Sequence, residues 1–234
     1  MKKLLLANFK SNKSITEAQQ WLDTFIAEVD WSSLKDDGAR FEVAVAPAFV
    51  SLGEFAYKIE EASVPLLLSV QDISAYPAGS YTGAISVANL AELNIAYAII
   101  GHSERRKHFG ENSAMVAKKV EQALDGGITP IVCFDEEYLE EQISNITAEL
   151  VEKCVFVYEP LGAIGTGNNV GVGKVTEVKE KVKRLCGEVR FLYGGSVDDQ
   201  NVAEYLLVTD GVLVGTFCKD PLNFAQLVAT ATAV

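Results

Sequence analysis

The chain is 234 residues long, 49% hydrophobic and 22% charged, with a formal net charge of −12. Such a composition supports a large buried core and argues against a disordered chain. The acidic balance, with no Lys/Arg-rich run to offset it, excludes nucleic acid and anionic membrane surfaces as partners.

The N-terminal run Met1-Lys2-Lys3-Leu4-Leu5-Leu6-Ala7 has the opening of a secretory signal. Its apolar stretch ends at Asn8, with Lys10 following, too early for an h-region. No stretch reaches the roughly 20 apolar residues of a membrane span, so the expected setting is the cytoplasm. Four widely spaced cysteines (Cys133, Cys154, Cys186, Cys218) form no C-x-x-C, and there are only two histidines. Reduced, mostly buried thiols are expected, and no metal site.

In chain order, Leu4 to Phe9 reads as a first strand, continuously apolar as expected when both faces are covered. Asn8 and Lys10 end it; two apart, they point the same way in extended backbone. Ser14 to about Val29 has the apolar spacing of an amphipathic helix. Phe41 to Ala46 is a second strand, closed by Pro47, and Ser51 to Ala62 a second helix. Pro65 to Gln71 is a third strand. The segment Asp72 to Ile85 that follows holds Tyr76, Pro77, Gly79, Tyr81, Thr82 and Gly83, too long and too aromatic for an idle connection. Leu93 to Ile100 contains a fourth strand, Ile128 to Cys133 a fifth and Cys154 to Tyr158 a sixth. Val189 to Tyr193 and Gly211 to Val214 supply the seventh and eighth. Helical stretches between them are Ala114 to Leu124, Glu136 to Leu150, Thr176 to Leu185, Val202 to Leu207 and Phe224 to Ala229.

Eight apolar strands alternating with helices, at roughly 29 residues per unit, match a (β/α)₈ barrel. With no composition break, one α/β domain spans residues 1–234. An open doubly wound sheet is the alternative; it would favour a G-x-G-x-x-G after the first strand, and none is there.

In a barrel the strand ends converge on one face, so distant residues share a site. The first end offers Asn8 and Lys10, the fourth Gly101-His102-Ser103-Glu104-Arg105-Arg106. The sixth offers Tyr158-Glu159-Pro160 followed by Leu161-Gly162-Ala163-Ile164-Gly165-Thr166-Gly167. The seventh gives Tyr193-Gly194-Gly195-Ser196-Val197 and the eighth Val214-Gly215-Thr216. Taken singly, Lys10 suits a solvated charge, His102 a turn residue and Gly194-Gly195-Ser196 a turn into a helix. Together they make a site. Gly165, Gly194, Gly195 and Gly215 can bring backbone N–H groups against a phosphate without Cβ obstruction, and Ser196 adds a hydroxyl. Glu159 is placed to take a proton from carbon and His102 to polarise a carbonyl. The helix start at Ser103-Glu104 favours a neutral imidazole.

These motifs, over essentially the whole chain, resemble those of the triosephosphate isomerase family, whose fold is the TIM barrel. The resemblance implies that Glu159 moves a proton between adjacent carbons of a triose phosphate, with glyceraldehyde 3-phosphate and dihydroxyacetone phosphate interconverted in glycolysis and gluconeogenesis. It implies that a neutral His102 stabilises the enediolate, Lys10 supplies charge, Asn8 a hydrogen bond, and Glu104 support behind them. Pro160 to Gly167 would form a lid that excludes water. No metal or cofactor is implied. The segment from Asp72 to Ile85 would plug a second copy of the chain, placing Thr82 near the partner subunit's Lys10 in a homodimer.

The sequence departs from the family pattern at several points. Gly162 stands where many relatives carry tryptophan, after Leu161 in place of valine, and Thr216 where a second glycine commonly follows Gly215. A looser lid and weaker substrate binding are expected, with the chemistry retained. Phe134-Asp135 and Asp72 also differ, with effects on packing and the interface. Two other readings stay open: a sugar-phosphate barrel of different reaction, and a non-catalytic phosphate-binding barrel.

Overall fold

A computed structural model describes residues 1–35, 38–160, 162 and 169–233. Its strands are β1 (Lys3–Asn8), β2 (Phe41–Ala46), β3 (Leu66–Val70), β4 (Ile95–Ile100), β5 (Thr129–Phe134), β6 (Val155–Tyr158), β7 (Arg190–Tyr193) and β8 (Gly211–Val214). All pair in parallel with their sequence neighbours, and β8 returns to β1, closing the barrel. The (β/α)₈ reading holds, and the open sheet is ruled out by that last pairing.

The helices are α1 (Ile15–Glu28), α2 (Ser32–Lys35), α3 (Leu52–Ala62), α4 (Ser103–Phe109), α5 (Ser113–Asp125), α6 (Leu139–Asn145), α7 (Ala148–Val151), α8 (Val172–Cys186), α9 (Val202–Val208) and α10 (Pro221–Thr232). Boundaries shift where caps decide them. Ser14 lies outside α1 as its N-cap, exchanging hydrogen bonds with Glu17 in a capping box. The helix expected over Glu136 to Leu150 starts later and is broken in two. Asp135 Oδ1 accepts from the N–H groups of Glu137 and Tyr138, which makes a turn there. Ile146 and Thr147 are extended, which ends α6. α10 begins three residues before the expected Phe224 because the Asp220 carboxylate caps it and Pro221 occupies its first turn. The segment from 72 to 85 contains no helix or strand, as expected.

Side chains alternate along each strand, and the two sets fill two cores. Leu4, Leu6, Ala44, Ala46, Ile99, Ile131, Cys133, Val155, Val157, Leu192 and Leu213 pack inside the barrel. Leu5, Ala7, Val43, Val45, Val132 and Phe156 face outward against the helices. Both faces are therefore dry, which is why the strands read as unbroken apolar runs. The inward series carries on past the strand ends: Leu4 and Leu6 lead to Asn8, Val155 and Val157 to Glu159, Leu192 to Gly194, and Leu213 to Gly215.

Where β8 closes on β1, Gly211 has φ of 145° and no room for a Cβ, which would collide with the Leu4 backbone. Gly211→Ala is expected to destabilise the protein by more than about 3 kcal/mol, read as a lower midpoint in urea unfolding, because the seam cannot close without shifting backbone.

Candidate active site

At the C-terminal end of the strands, a cavity of about 320 Å³ is lined by Lys10, His102, Glu159, Gly194, Ser196, Gly215 and Thr216. Residues from the ends of strands 1, 4, 6, 7 and 8 thus meet, as the sequence reading expects. Asn8 and Gly195 are buried beside the cavity without lining it.

Lys10 follows β1 with φ of 52°, unusual for a residue with a Cβ. Neighbouring groups fix it there. Asn8 Oδ1 accepts from the Lys10 N–H at 3.0 Å, and Gln71 Nε2 donates to the Lys10 carbonyl at 2.9 Å. The Lys10 ammonium reaches Glu104 Oε1 at 2.7 Å. Asn8 thus acts on Lys10, and Glu104 ties Lys10 to the turn that carries His102.

His102 caps α4. Its Nδ1 accepts from the Glu104 N–H at 3.2 Å, so that nitrogen carries no proton and the imidazole hydrogen sits on Nε2. Nε2 faces the cavity and lies 3.0 Å from Glu159 Oε1. The contact is close but poorly aligned, and Glu159 Oε1 and Ser103 Oγ are both buried without a hydrogen-bond partner. Glu159 Oε2 accepts from the Ser103 N–H at 3.3 Å. Burial pushes the Glu159 carboxyl up; the facing Nε2–H of His102, the Ser103 N–H and the Lys10 ammonium outweigh it and hold it below the usual carboxylate range. Beneath it, burial pushes the Cys133 thiol well up, and Glu159 adds to the rise, so Cys133 stays protonated.

The glycines leave space for these side chains. A Cβ on Gly194 would come within 3.2 Å of Glu159 Cγ, one on Gly215 within 3.3 Å of Lys10 Cε, and one on Gly195 into the Tyr193 hydroxyl. Ser196 has φ of 51°, and its carbonyl accepts from Asn201 Nδ2 at 3.2 Å, which fixes the turn. Thr216 is exposed at the rim. Sequence reading missed Val197, Asp198, Leu213, Phe217 and Asn223, which also line the cavity. Leu213 was legible from strand parity; Asn223 was not, because it comes from the start of α10.

Of the expected lid, Leu161, Ala163, Ile164, Gly165, Thr166 and Gly167 lie outside the described residues. Pro160 is buried, and Gly162 is exposed with nothing within 4 Å of a Cβ built there. Beyond the segment, Val170 N–H donates to Tyr193 Oη at 3.2 Å and Tyr205 Oη donates to the Val170 carbonyl at 2.8 Å. These two rings stack at 4.2 Å. On the strand side, Glu136 accepts from Tyr158 Oη at 3.1 Å and from Lys174 at 2.9 Å.

The four cysteines are free thiols, three of them buried. Among the described residues no helix is long and apolar enough to cross a membrane, and no three His, Cys, Asp or Glu side chains are grouped to hold a metal ion.

A model of the triosephosphate isomerase family matches residues 3–231. The chain is 34% identical to a triosephosphate isomerase of Mycobacteroides abscessus, over 98% of this chain and 97% of that one. It is 33% identical to one of Aquifex aeolicus, over 97% and 99%. For one of Corynebacterium diphtheriae the identity is 35%, over 99% and 97%.

A carboxyl held below its usual range protonates only below the ordinary glutamate value of about 4.3. Carbon-13 NMR of the glutamate carboxyls is therefore expected to show Glu159 titrating below that value in the ligand-free protein, still ionised where exposed glutamates have become neutral. A midpoint above about 4.3 would contradict the balance of forces described here.

Proposed function

The chain belongs to the triosephosphate isomerase family, and from that premise we propose that it interconverts dihydroxyacetone phosphate and D-glyceraldehyde 3-phosphate by proton transfer. The observation that carries the reading is one cavity in which Glu159, His102 and Lys10 face a floor of glycine backbone. The substrate phosphate lies against the turns at Gly194 to Ser196 and Gly215 to Thr216, where N–H groups and Lys10 supply a positive site on a negative protein. Its carbonyl oxygen takes the place of Glu159 Oε1 opposite His102 Nε2–H. Glu159 then takes a proton from the adjacent carbon, and the C–H electron pair becomes the enediolate double bond. His102 donates to the developing oxyanion and shuttles the proton between the two oxygens; Lys10 stabilises the charge. Return of the proton to the neighbouring carbon completes the isomerisation, with no metal or cofactor required by the route.

The lid over Pro160 to Gly167 serves to exclude water, since an exposed enediolate phosphate would eliminate phosphate. Such an enzyme belongs in the cytoplasm, in glycolysis and gluconeogenesis. We further propose a homodimer. Apolar groups stand exposed after three neighbouring strands: Val50 (72%) after β2, Tyr76 and Tyr81 (45% and 44%) after β3, and Phe109 (70%) after β4. Tyr76 and Tyr81 stack at 4.6 Å, which stiffens a loop whose Thr82 is exposed. A second copy covering this patch would bring Thr82 to the partner subunit's Lys10.

Glu159→Asp withdraws the carboxylate from the carbon and leaves the phosphate floor whole. Turnover of glyceraldehyde 3-phosphate should fall by about 10²-fold or more, with binding of glycerol 3-phosphate retained. Wild-type binding without turnover would instead make the protein a phosphate-binding barrel. For the dimer, Thr82→Glu is expected to give monomers in sedimentation velocity and to lose most activity; an active dimer carrying that charge would sink the interface.

A further inference from the structure

The Ile100–Gly101 peptide, just ahead of His102, is held by a group that the chemistry does not use. Gly101, with φ of 71°, directly precedes His102, and its buried N–H donates to Glu111 Oε1 at 3.0 Å. Glu111 follows α4, nine residues beyond His102, and its side chain is 1% exposed. Its other oxygen accepts from Arg105 Nε at 2.7 Å and Lys119 Nζ at 2.6 Å. Those two cations also pair with Asp72, Arg105 at 2.8 Å and Lys119 at 2.6 Å. Two carboxylates and two cations thus balance, with Lys119 buried between the anions. Burial pushes Glu111 up, and Lys119 and Arg105 outweigh it, so it stays ionised; burial leaves Asp72 above its usual value.

The two cations occupy one oxygen of Glu111, and the Gly101 N–H takes the other, so this bond satisfies a buried donor and a buried acceptor at once. The Glu111–Gly101 contact therefore does something the ion pairs do not. It fixes the Ile100–Gly101 peptide plane, one α-carbon ahead of the peptide that enters His102. One residue on, Ser103 N–H contacts Glu159, and Glu104 N–H selects the His102 tautomer. A rotation of the Ile100–Gly101 peptide would carry through to both contacts.

We propose that Glu111 is a positioning residue for His102. Anchored by Lys119 and Arg105, its carboxylate holds the Ile100–Gly101 peptide and, through the Gly101 turn, aims Nε2–H of His102 at the reacting oxygens. The kinetic part of this inference rests on the isomerase reading; the direction of the imidazole does not.

Two charge-balanced double variants separate positioning from charge pairing. Glu111→Gln with Lys119→Met removes one anion and one cation, leaves the Asp72–Arg105 pair, and keeps an oxygen for Gly101 N–H. Glu111→Leu with Lys119→Met has the same charge and lacks that oxygen. The first is expected to keep near wild-type kcat and the nitrogen-15 imidazole signals of neutral His102 protonated at Nε2. The second should lose about tenfold to a hundredfold in kcat, with KM little changed and the imidazole signals moved. Equal kcat and equal imidazole spectra in the two would overturn the proposal. Should the leucine variant not fold, Glu111→Asp with Lys119→Met draws the acceptor back from Gly101, and an unchanged kcat there overturns it equally. A wild type without turnover would sink the isomerase reading, while the imidazole spectra would still decide the role of Glu111.

Discussion

Side chains alternate along a strand, and in a closed parallel barrel that alternation does two jobs at once. The inward series packs the barrel interior with Leu4, Leu6, Val155, Val157, Leu192 and Leu213. Continued by one more step it delivers Asn8, Glu159, Gly194 and Gly215 to the mouth. Core register and site register are therefore a single quantity. A slip of one residue in β6 would turn Glu159 toward the helices and also move Val155 and Val157 out of the interior, so packing enforces the catalytic direction. The parallel ladder supports this further, since Glu159 N–H still bonds to Phe134 and Gly194 N–H to Tyr158, one step past the strands.

Electrostatics follow the same local logic. The chain carries −12 overall, yet the cavity is lined by Lys10 together with the small residues Gly194, Ser196 and Gly215. Asp198, the one additional carboxylate in the lining among the described residues, accepts from the N–H groups of Gln200 and Asn201 through Oδ1, which directs part of its charge to its own turn. Glu104 is more ambiguous in sign, because it neutralises Lys10 at 2.7 Å while anchoring it. Its half-exposed side chain keeps that neutralisation weak and leaves the ammonium able to answer a phosphate.

What was legible in the sequence was whatever periodicity and chain order encode. Unbroken apolar runs gave the eight strands, and their ends gave Lys10, His102, Glu159 and the glycine turns. Long-range side-chain bonds were not legible. The break in the helix expected over Glu136 to Leu150 depends on Asp135 bonding to the backbone ahead of it and on extended residues at Ile146 and Thr147, which an apolar count does not register. The ties from Gln71 to Lys10 and from Glu111 to Gly101 join residues 61 and 10 positions apart, and no spacing rule singles them out. Asn223 reaches the cavity only because Asp220 and Pro221 start α10 early.

The same geometry accounts for where the sequence can depart from its family. Gly194, Gly195 and Gly215 are each pressed by a side chain of the site or its walls: Glu159, Tyr193 and Lys10. A Cβ at any of them would displace a functional group before it ever met a phosphate, so these glycines and the catalytic side chains cannot vary independently. Gly162 and Thr216 are different. A Cβ at 162 meets nothing within 4 Å, and Thr216 stands exposed on the rim of the cavity. Gly162 and Thr216 thus differ from the family pattern at exposed positions, while Lys10, His102 and Glu159 are tied to their neighbours by contact.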